Sequence, residues 1–423
     1  MYLTDRSTPA KQDAEQRRRR GTGPKVAPVV LVLGTVSLIT DISSEMVTAV
    51  LPLYLVSTLG FSPLGFGTLD GVYNGVSALV QLTGGHLADR VRNHKLLAGL
   101  GYGLSALCKP LLLLASSVGA LGTVLALERT GKGLRTAPRD AMISLSTPAD
   151  RQGRAFGVHR AMDTTGAMLG PLAAFLILRA AVDGYDAVFG VSACVAVLGV
   201  LVLVLFVPGR GQGPQSAGKE TPGGKPPVRL REALALLRLP RLRALAGCAA
   251  LLGLTTVSDA FVYLLLQRRA GIAEQWFPLL PLGTAAVFLL LAVPVGTLAD
   301  RVGRRTVFLT GHAALLTAYA LLLWAPATPA LPFLVLALHG TFYAATDGVL
   351  PAALADLVPE QLRASGLAIV GTSQALARFC CSLAFGAAWT VWGDGPALAG
   401  SAVGLLCCAA VAGMVLRPAG GTR

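Results

Sequence analysis

A chain of 423 residues that is 53% hydrophobic and 14% charged has too little polar surface to be a water-soluble domain of this size. The formal net charge of +14 raises nucleic acid as a partner, but that reading needs a basic domain outside the apolar stretches, and none remains. The composition instead implies a protein whose first partner is the lipid bilayer, in which one helical crossing takes roughly 20 apolar residues.

A basic tail, residues 1–26, leads into apolar windows near 27–58, 65–87, 96–116, 118–141, 155–180, 187–208, 244–267, 277–298, 307–326, 330–352, 367–391 and 396–416. These predict an all-α polytopic membrane protein with twelve spans. The 49 Gly and 25 Pro would disfavour helices in water, but in lipid neighbouring helices satisfy the freed backbone groups, and barrel strands would be far shorter. The tail KQDAEQRRRR before the first run looks like a secretory signal. That run is too long and has no small-residue cleavage site, so it is expected to stay as the first span. All seven cysteines (Cys108, Cys194, Cys248, Cys380, Cys381, Cys407 and Cys408) fall within predicted spans without metal-ligand spacing. They are expected to be inert packing residues, and no metal or cofactor is implied.

About 26 of the Lys and Arg residues lie in the first tail, the even-numbered loops and the last tail, about 3 (Arg179, Arg268, Arg269) beside the opposite loops, and about 7 within spans. The bias predicts a multi-pass protein of a bacterial inner (cell) membrane with both termini cytoplasmic.

The chain is internally repeated: GHLADRV at 85–91 returns as GTLADRV at 296–302, half a chain later, after the second and eighth spans. RAFG at 154–157 similarly echoes RASG at 363–366. The predicted organisation is a six-helix half over 27–208, a cytoplasmic linker over 209–243, a second six-helix half over 244–416 and a tail over 417–423. The linker's Gly, Pro and charge make it flexible, and Leu230, Ala233, Leu234 and Leu237 give its end one apolar helical face at the membrane surface.

Six plus six spans, a basic central loop and the paired G-x-L-A-D-R-V turn resemble the major facilitator superfamily of secondary transporters, over nearly the whole chain. The second turn fits the family pattern with Gly296, Asp300, Arg301, Gly303, Arg304 and Arg305; in the first, which has Gly85, Asp89 and Arg90, Arg92 stands for the family's second Gly and Asn93 for an Arg. The resemblance implies gating loops, with Gly85 and Gly296 allowing close helix approach and the two Asp residues locking one conformation. In ERTGKG, Arg129 and Gly133 are spaced like the superfamily's fourth-helix R-x-x-Q-G motif, associated with proton coupling, although Lys132 replaces Gln. In GAMLGPLAA, Gly166, Gly170 and Pro171 resemble the fifth-helix G-x-x-x-G-P motif of exporters, without its closing Gly pair.

A charge in hydrocarbon is costly, so each one within a span is a functional candidate. The first half holds Asp41, Glu45, Asp70, Lys109, Glu128, Arg129, Lys132, Arg135, Arg160 and Asp163, and the second mainly Asp259, Asp347 and Arg378. Asp41 and Glu45, four apart, share a helical face, and two readings fit them: a titrating proton carrier, or permanent pairing with Arg or Lys of other helices. Arg129, Lys132, Arg135 and Arg139 form a cationic stripe running to the cytoplasmic end, either an ion-pair network with Asp70, Asp89, Asp140 or Asp163, or a site for an anion or proton relay. Glu128 can offset one of these charges. Asp259 sits in the seventh span roughly where Asp41 sits in the first, and His339 is a packed or hydrogen-bonded histidine before it is a titrating one.

The expected function is alternating-access transport of a small molecule, with protons as the coupling partner and drug or metabolite efflux ahead of proton-coupled uptake. RTGKGLRT lacks phosphate-loop spacing, which removes ATP as the driver. A non-transporting sensor or scaffold lacks a signalling domain here, and an enzyme lacks a metal or nucleophile constellation.

Overall fold

The computed structural model describes residues 27–90, 93–148, 152–207, 239–347 and 363–416. Every regular element among them is helical. The predicted linker and its amphipathic segment, with both tails, lie outside the described residues.

In the first half, α1 (Pro28–Leu53) starts on a proline whose missing N–H costs nothing at a helix N-terminus, and runs into a π-helical turn at Tyr54–Thr58. It is followed by α2 (Pro63–Arg90), α3 (His94–Leu114), α4 (Val118–Leu145), α5 (Gln152–Ala180) and α6 (Gly184–Phe206). The side chains of Asn93 and Ser117 cap α3 and α4, each accepting the backbone N–H three residues on at 3.2 Å. The second half contains α7 (Pro240–Gly253), α8 (Asp259–Ala270), α9 (Leu279–Val302), α10 (Arg304–Trp324), α11 (Leu331–Thr346), α12 (Arg363–Trp392) and α13 (Asp394–Val415).

The two halves repeat one packing scheme. In the first, α1 lies against α5 and α6, α2 against α4, and α3 against α4 and α6; in the second, α7 lies against α12 and α13, α9 against α11, and α10 against α11 and α13. Between halves, α2 packs along α12, and α5 and α1 touch α9 and α8. Small residues make the α2–α12 seam possible: a Cβ at Gly386 would fall 2.5 Å from the Pro63 carbonyl, and one at Gly67 would collide with the Ser382 carbonyl. This seam lies at the end of the bundle away from the linker. Leu64 N–H donates to Thr390 Oγ1 across it at 3.0 Å, and Tyr185 donates to Glu274 at 3.1 Å nearby.

Eight of the described helical segments are long and apolar enough to cross a membrane, and α7 and α11 are shorter apolar helices. Leu205, Leu290, Val293, Phe333 and Val403 point outward from the bundle, an apolar exterior that suits lipid rather than water. Trp276, Trp324 and Trp392 are exposed at the linker-distal end, where an amphipathic ring suits the headgroup level. The helix α4 is less apolar than those eight segments because it carries the charged stripe described below.

Three expectations need correction. The seventh span is broken: Leu254–Ser258 leaves the helix between α7 and α8. Thr255 and Thr256 both turn their hydroxyls back onto the Leu252 carbonyl, at 3.0 and 2.8 Å, and Ser258 is extended as the N-cap of α8. The freed groups find partners on other helices: Val257 N–H donates to the Tyr319 hydroxyl at 2.8 Å, and the Cys381 thiol lies 3.3 Å from the Thr256 carbonyl. Secondly, Gly296 makes no close approach, since a Cβ there meets open space. Thirdly, Cys108, Cys248 and Cys381 are buried, whereas Cys194, Cys380 and Cys407 are exposed on the bundle's outer surface, where apolar character rather than packing suits them to lipid.

Candidate functional site

Down the inner face of α4 the cations are each met by an acid, in a ladder of ion pairs. At mid-depth, Glu128 accepts from Lys109 Nζ at 3.1 Å and from Arg129 Nε at 2.8 Å, with both of its oxygens engaged and all three groups buried. Lys132 lies 3.6 Å from Glu45, Arg135 lies 3.2 Å from Asp41, and Arg139 reaches Asp140 at 3.0 Å and Asp163 at 3.6 Å. Five cations thus face five carboxylates, and the ladder is neutral as a whole. Neutrality is what burial demands, because an unpaired ion in this environment costs several kcal/mol, about what breaking a buried pair costs. Aromatic faces complete the cations' surroundings: Arg129 lies 3.8 Å from the Tyr73 ring centroid and Arg135 lies 4.5 Å from that of Tyr102. At the lower end, Ser37 receives Arg139 Nη1 at 3.3 Å and is hydrogen-bonded to His159 at 3.0 Å.

Glycines bring the helices close enough for this. Gly101 of α3 and Gly131 of α4 meet backbone to backbone, a Cβ on either falling 2.7 Å from the other's carbonyl. Gly166 and Gly170 of α5 do the same against α1, where a Cβ would meet the Leu38 carbonyl at 2.5 Å and Glu45 Cβ at 2.7 Å. The fifth-helix motif therefore sets the position of Glu45. Gly133 fits against Val80 of α2.

Between the halves lies a cavity of about 360 Å³. The first half contributes Glu45, Asp70, Tyr73, Asn74 and Pro171, and the second Asp259, Tyr263, Tyr343, Asp347 and Arg378, with the broken stretch Thr256–Ser258 in the wall. Asp70 accepts the Ser382 hydroxyl of α12 at 2.6 Å, a hydrogen bond across the seam. Asp259 accepts the Tyr343 hydroxyl at 2.5 Å and has His339 Nε2 at 3.3 Å, outside hydrogen-bond alignment. A smaller cavity of about 130 Å³ adjoins it among α7, α10, α11 and α12, and Thr256, Asp347 and Arg378 line both. The main cavity is polar enough to orient a small molecule, walled by aromatic rings, and shared by elements of both halves.

The structure thus brings Glu45, Asp70, Asp259 and Asp347 to one cavity and places Asp41, Arg129, Lys132 and Asp163 in the ladder beside it. It does not bring Arg160 there: that side chain is exposed near the linker end of α5. The stripe's partners also differ from those expected. Asp140 and Asp163 take Arg139, but the cations above it use Glu128, Glu45 and Asp41, while Asp70 turns to α12. Of the predicted gating turns, Gly85, Asp89 and Arg90 lie in α2 with side chains outside the described residues. In the second turn Gly303 ends α9 with φ +97°, a conformation that glycine alone adopts cheaply. Asp300 is 70% exposed and lies 3.7 Å from Arg304 at the start of α10, a loose contact across the turn itself. Arg301 stays on the last turn of α9.

Sequence reasoning missed Tyr73, Tyr343, Ser382 and His159 as partners. One signal was available: His339, Tyr343 and Asp347 follow each other at intervals of four and so share a face of α11 and its end. Ser382 gave none, since its role depends on how the halves dock.

The sequence model of the Major Facilitator Superfamily matches residues 33–380 and 279–421. An uncharacterized MFS-type transporter of Methanocaldococcus jannaschii is 30% identical over 390 residues, 89% of this chain and 92% of that protein. Among solved structures, the nucleoside transporter NupG superposes with a TM-score of 0.78 at 14% identity, covering 92% of this chain and 100% of its own. A bacterial homologue of the human lysosomal transporter Spinster, inward-facing and unoccupied, gives 0.74 at 16% identity, covering 93% and 98%. At such identities the likeness is one of fold.

Proposed function

Because the chain belongs to the Major Facilitator Superfamily, a family of membrane transporters, we propose that it exports a small organic molecule across the cell membrane in exchange for protons. The observation that carries the reading is the cavity between the halves, lined by carboxylates from both and closed at the linker-distal end by the α2–α12 seam. Closure at one end with the binding space between two repeated bundles is one half of an alternating-access cycle; the other half is reached by rocking about the same cavity. The excess of Lys and Arg in the loops at the linker end supports a cytoplasmic placement of that end, which makes this the inward-facing conformer.

Export is supported by the fifth-helix motif, whose Gly166 and Gly170 seat α5 directly on α1 beside Glu45. Proton coupling is supported by the carboxylates of the cavity, which can exchange a proton with water on whichever side is open. Substrate would enter from the cytoplasm, the halves would rock, and inward proton movement would drive the next cycle. The experiment is reconstitution into proteoliposomes carrying an internal pH indicator, with a screen of metabolites and toxic compounds. A compound whose transport moves protons the opposite way supports the reading; protons moving with the compound make the chain a symporter, and flux indifferent to the pH gradient removes proton coupling.

A further inference from the structure

The ladder and the seam treat their carboxylates differently. Glu45, Asp41, Glu128 and Asp163 each have a Lys or Arg within ion-pair distance. Asp70 has none among the described residues. Its oxygens take the Asn74 side-chain amide at 3.4 Å and the Ser382 hydroxyl at 2.6 Å, both neutral donors. It sits where α2 and α12 are pressed together by Gly67, Gly71 and Gly386, so its surroundings exist only while the linker-distal end is closed. Its carboxyl also borders the central cavity.

The charged and titratable groups around it do not supply a counterion of its own. Glu45 of α1 is held by Lys132, and Arg129 of α4 is held by Glu128 and covered by Tyr73, the next cavity-facing group on α2. From α8 comes Asp259, a second carboxylate on the same cavity wall. From α12 come the Cys381 thiol, turned to the Thr256 carbonyl, and Arg378, whose charge faces Asp259 and Asp347 as well. An ionised Asp70 in the closed seam is therefore a half-buried anion opposite another carboxylate, sharing one cation with two other acids. A protonated Asp70 is a neutral hydrogen-bonding group matched to a serine. Separating the halves at this end removes Ser382 and admits water, which reverses the preference.

We infer that Asp70 carries the coupling proton: the residue loads it when the linker-distal end is open, closes the seam while neutral, and releases it into the cavity afterwards. This rests on the reading of the chain as a proton-coupled transporter, and it moves the coupling site from the ion-paired ladder to the boundary between the halves. Protonation favours the closed seam, so raising the pH opens it.

The test needs no substrate. Spin labels at Val182→Cys and Val391→Cys, both exposed on the linker-distal side of opposite halves, report the gap by pulsed electron paramagnetic resonance, on a background with Cys194, Cys380, Cys407 and Cys408 replaced by Ala. From about pH 5 to about pH 9 the long-distance population of the otherwise native chain should rise at least about threefold, and in Asp70→Asn it should stay low throughout. Asp259→Asn should keep the response, because Asp70 and its Ser382 partner are untouched. If Asp70→Asn does not elute as a folded species, Asp70→Glu serves instead and must keep a response with a displaced midpoint. A native response in Asp70→Asn, an unmoved midpoint in Asp70→Glu, or a flat profile without mutation would each overturn the inference. Proton-driven flux that persists beside a pH-insensitive seam would leave transport standing and sink this site; a pH-driven seam without any proton-coupled flux would do the reverse.

Discussion

Arg135 Nη2 stands 3.2 Å from Asp41 Oδ1 with both side chains almost fully buried, tying the middle of α4 to the middle of α1. Removing one partner leaves a buried ion without the opposite charge that contacts it. Asp41→Asn and Arg135→Gln should each lower stability by about 3–5 kcal/mol, and the double variant should lose distinctly less than their sum. Thermal unfolding in detergent of the four proteins measures this. Additive losses would mean that the two charges are satisfied independently.

One hydroxyl from α10 helps to hold the break in the seventh span. Tyr319 is fully buried and its oxygen receives the Val257 N–H in the unwound stretch at 2.8 Å. Tyr319→Phe keeps the ring and orphans the amide, so it should cost about 1–3 kcal/mol. It should also speed hydrogen exchange at Val257 selectively. Exchange that is unchanged there would show the break to be held by Thr255 and Thr256 alone.

How far the sequence carried the reading can be seen from these two places. The repeat of GHLADRV as GTLADRV implied two equivalent halves, and the packing of α1–α6 is indeed matched by that of α7–α13, because a hydropathy pattern and a turn motif are local and survive without coordinates. The seventh span read as continuous because Thr255, Thr256, Val257 and Ser258 are apolar or small enough for a membrane window; their break is fixed by Tyr319 and Cys381, distant in sequence. Charge partners were hidden for the same reason. Helical spacing placed Arg129, Lys132, Arg135 and Arg139 on one face, but which acid meets each depends on the rotation of α1 and α5, which Gly166 and Gly170 set by contact. Asp70 and Ser382 lie 312 residues apart and meet only through the docking of the halves.

The close approach of α5 to α1 makes a prediction about size. A Cβ at Gly170 would lie 2.7 Å from Glu45 Cβ and 2.9 Å from the Met46 amide nitrogen, and backbone cannot yield as a side-chain tip can. Gly170→Ala should therefore push α5 outward and cost about 1–3 kcal/mol by overpacking, whereas Gly190→Ala, with open space around its added carbon, should be neutral or stabilising. Equal thermal midpoints for the two variants would contradict the packing.

The bias in Lys and Arg predicts the orientation of the loops. A reporter active only in the cytoplasm should be active when fused at Gly223 and silent within 271–273, beside the turn where Gly271 ends α8 in a left-handed conformation with φ +64°. Activity at both fusions would break the even spacing of twelve crossings, and activity at the second alone would invert the assignment of the closed seam to the outer side.

Glu45 differs from Asp41 although they are one turn apart on α1. Its side chain is 26% exposed at the cavity and its partner Lys132, 3.6 Å away, is 34% exposed, so this pair is partly hydrated and contributes at most about 1 kcal/mol to stability. Neutralising it as Glu45→Gln should therefore leave the thermal midpoint nearly unchanged, in contrast to Asp41→Asn. What it should alter is the cavity wall. With a substrate identified by the vesicle screen, Glu45→Gln should raise KM several-fold while changing kcat little, since the lost interaction is made in the bound state and not in the rocking step. The pH response of the seam should survive, because Asp70 is untouched. A fall in kcat at constant KM would instead place Glu45 in the conformational step, and a collapse of stability would mean that the Glu45–Lys132 pair is as essential to the fold as the Asp41–Arg135 pair below it.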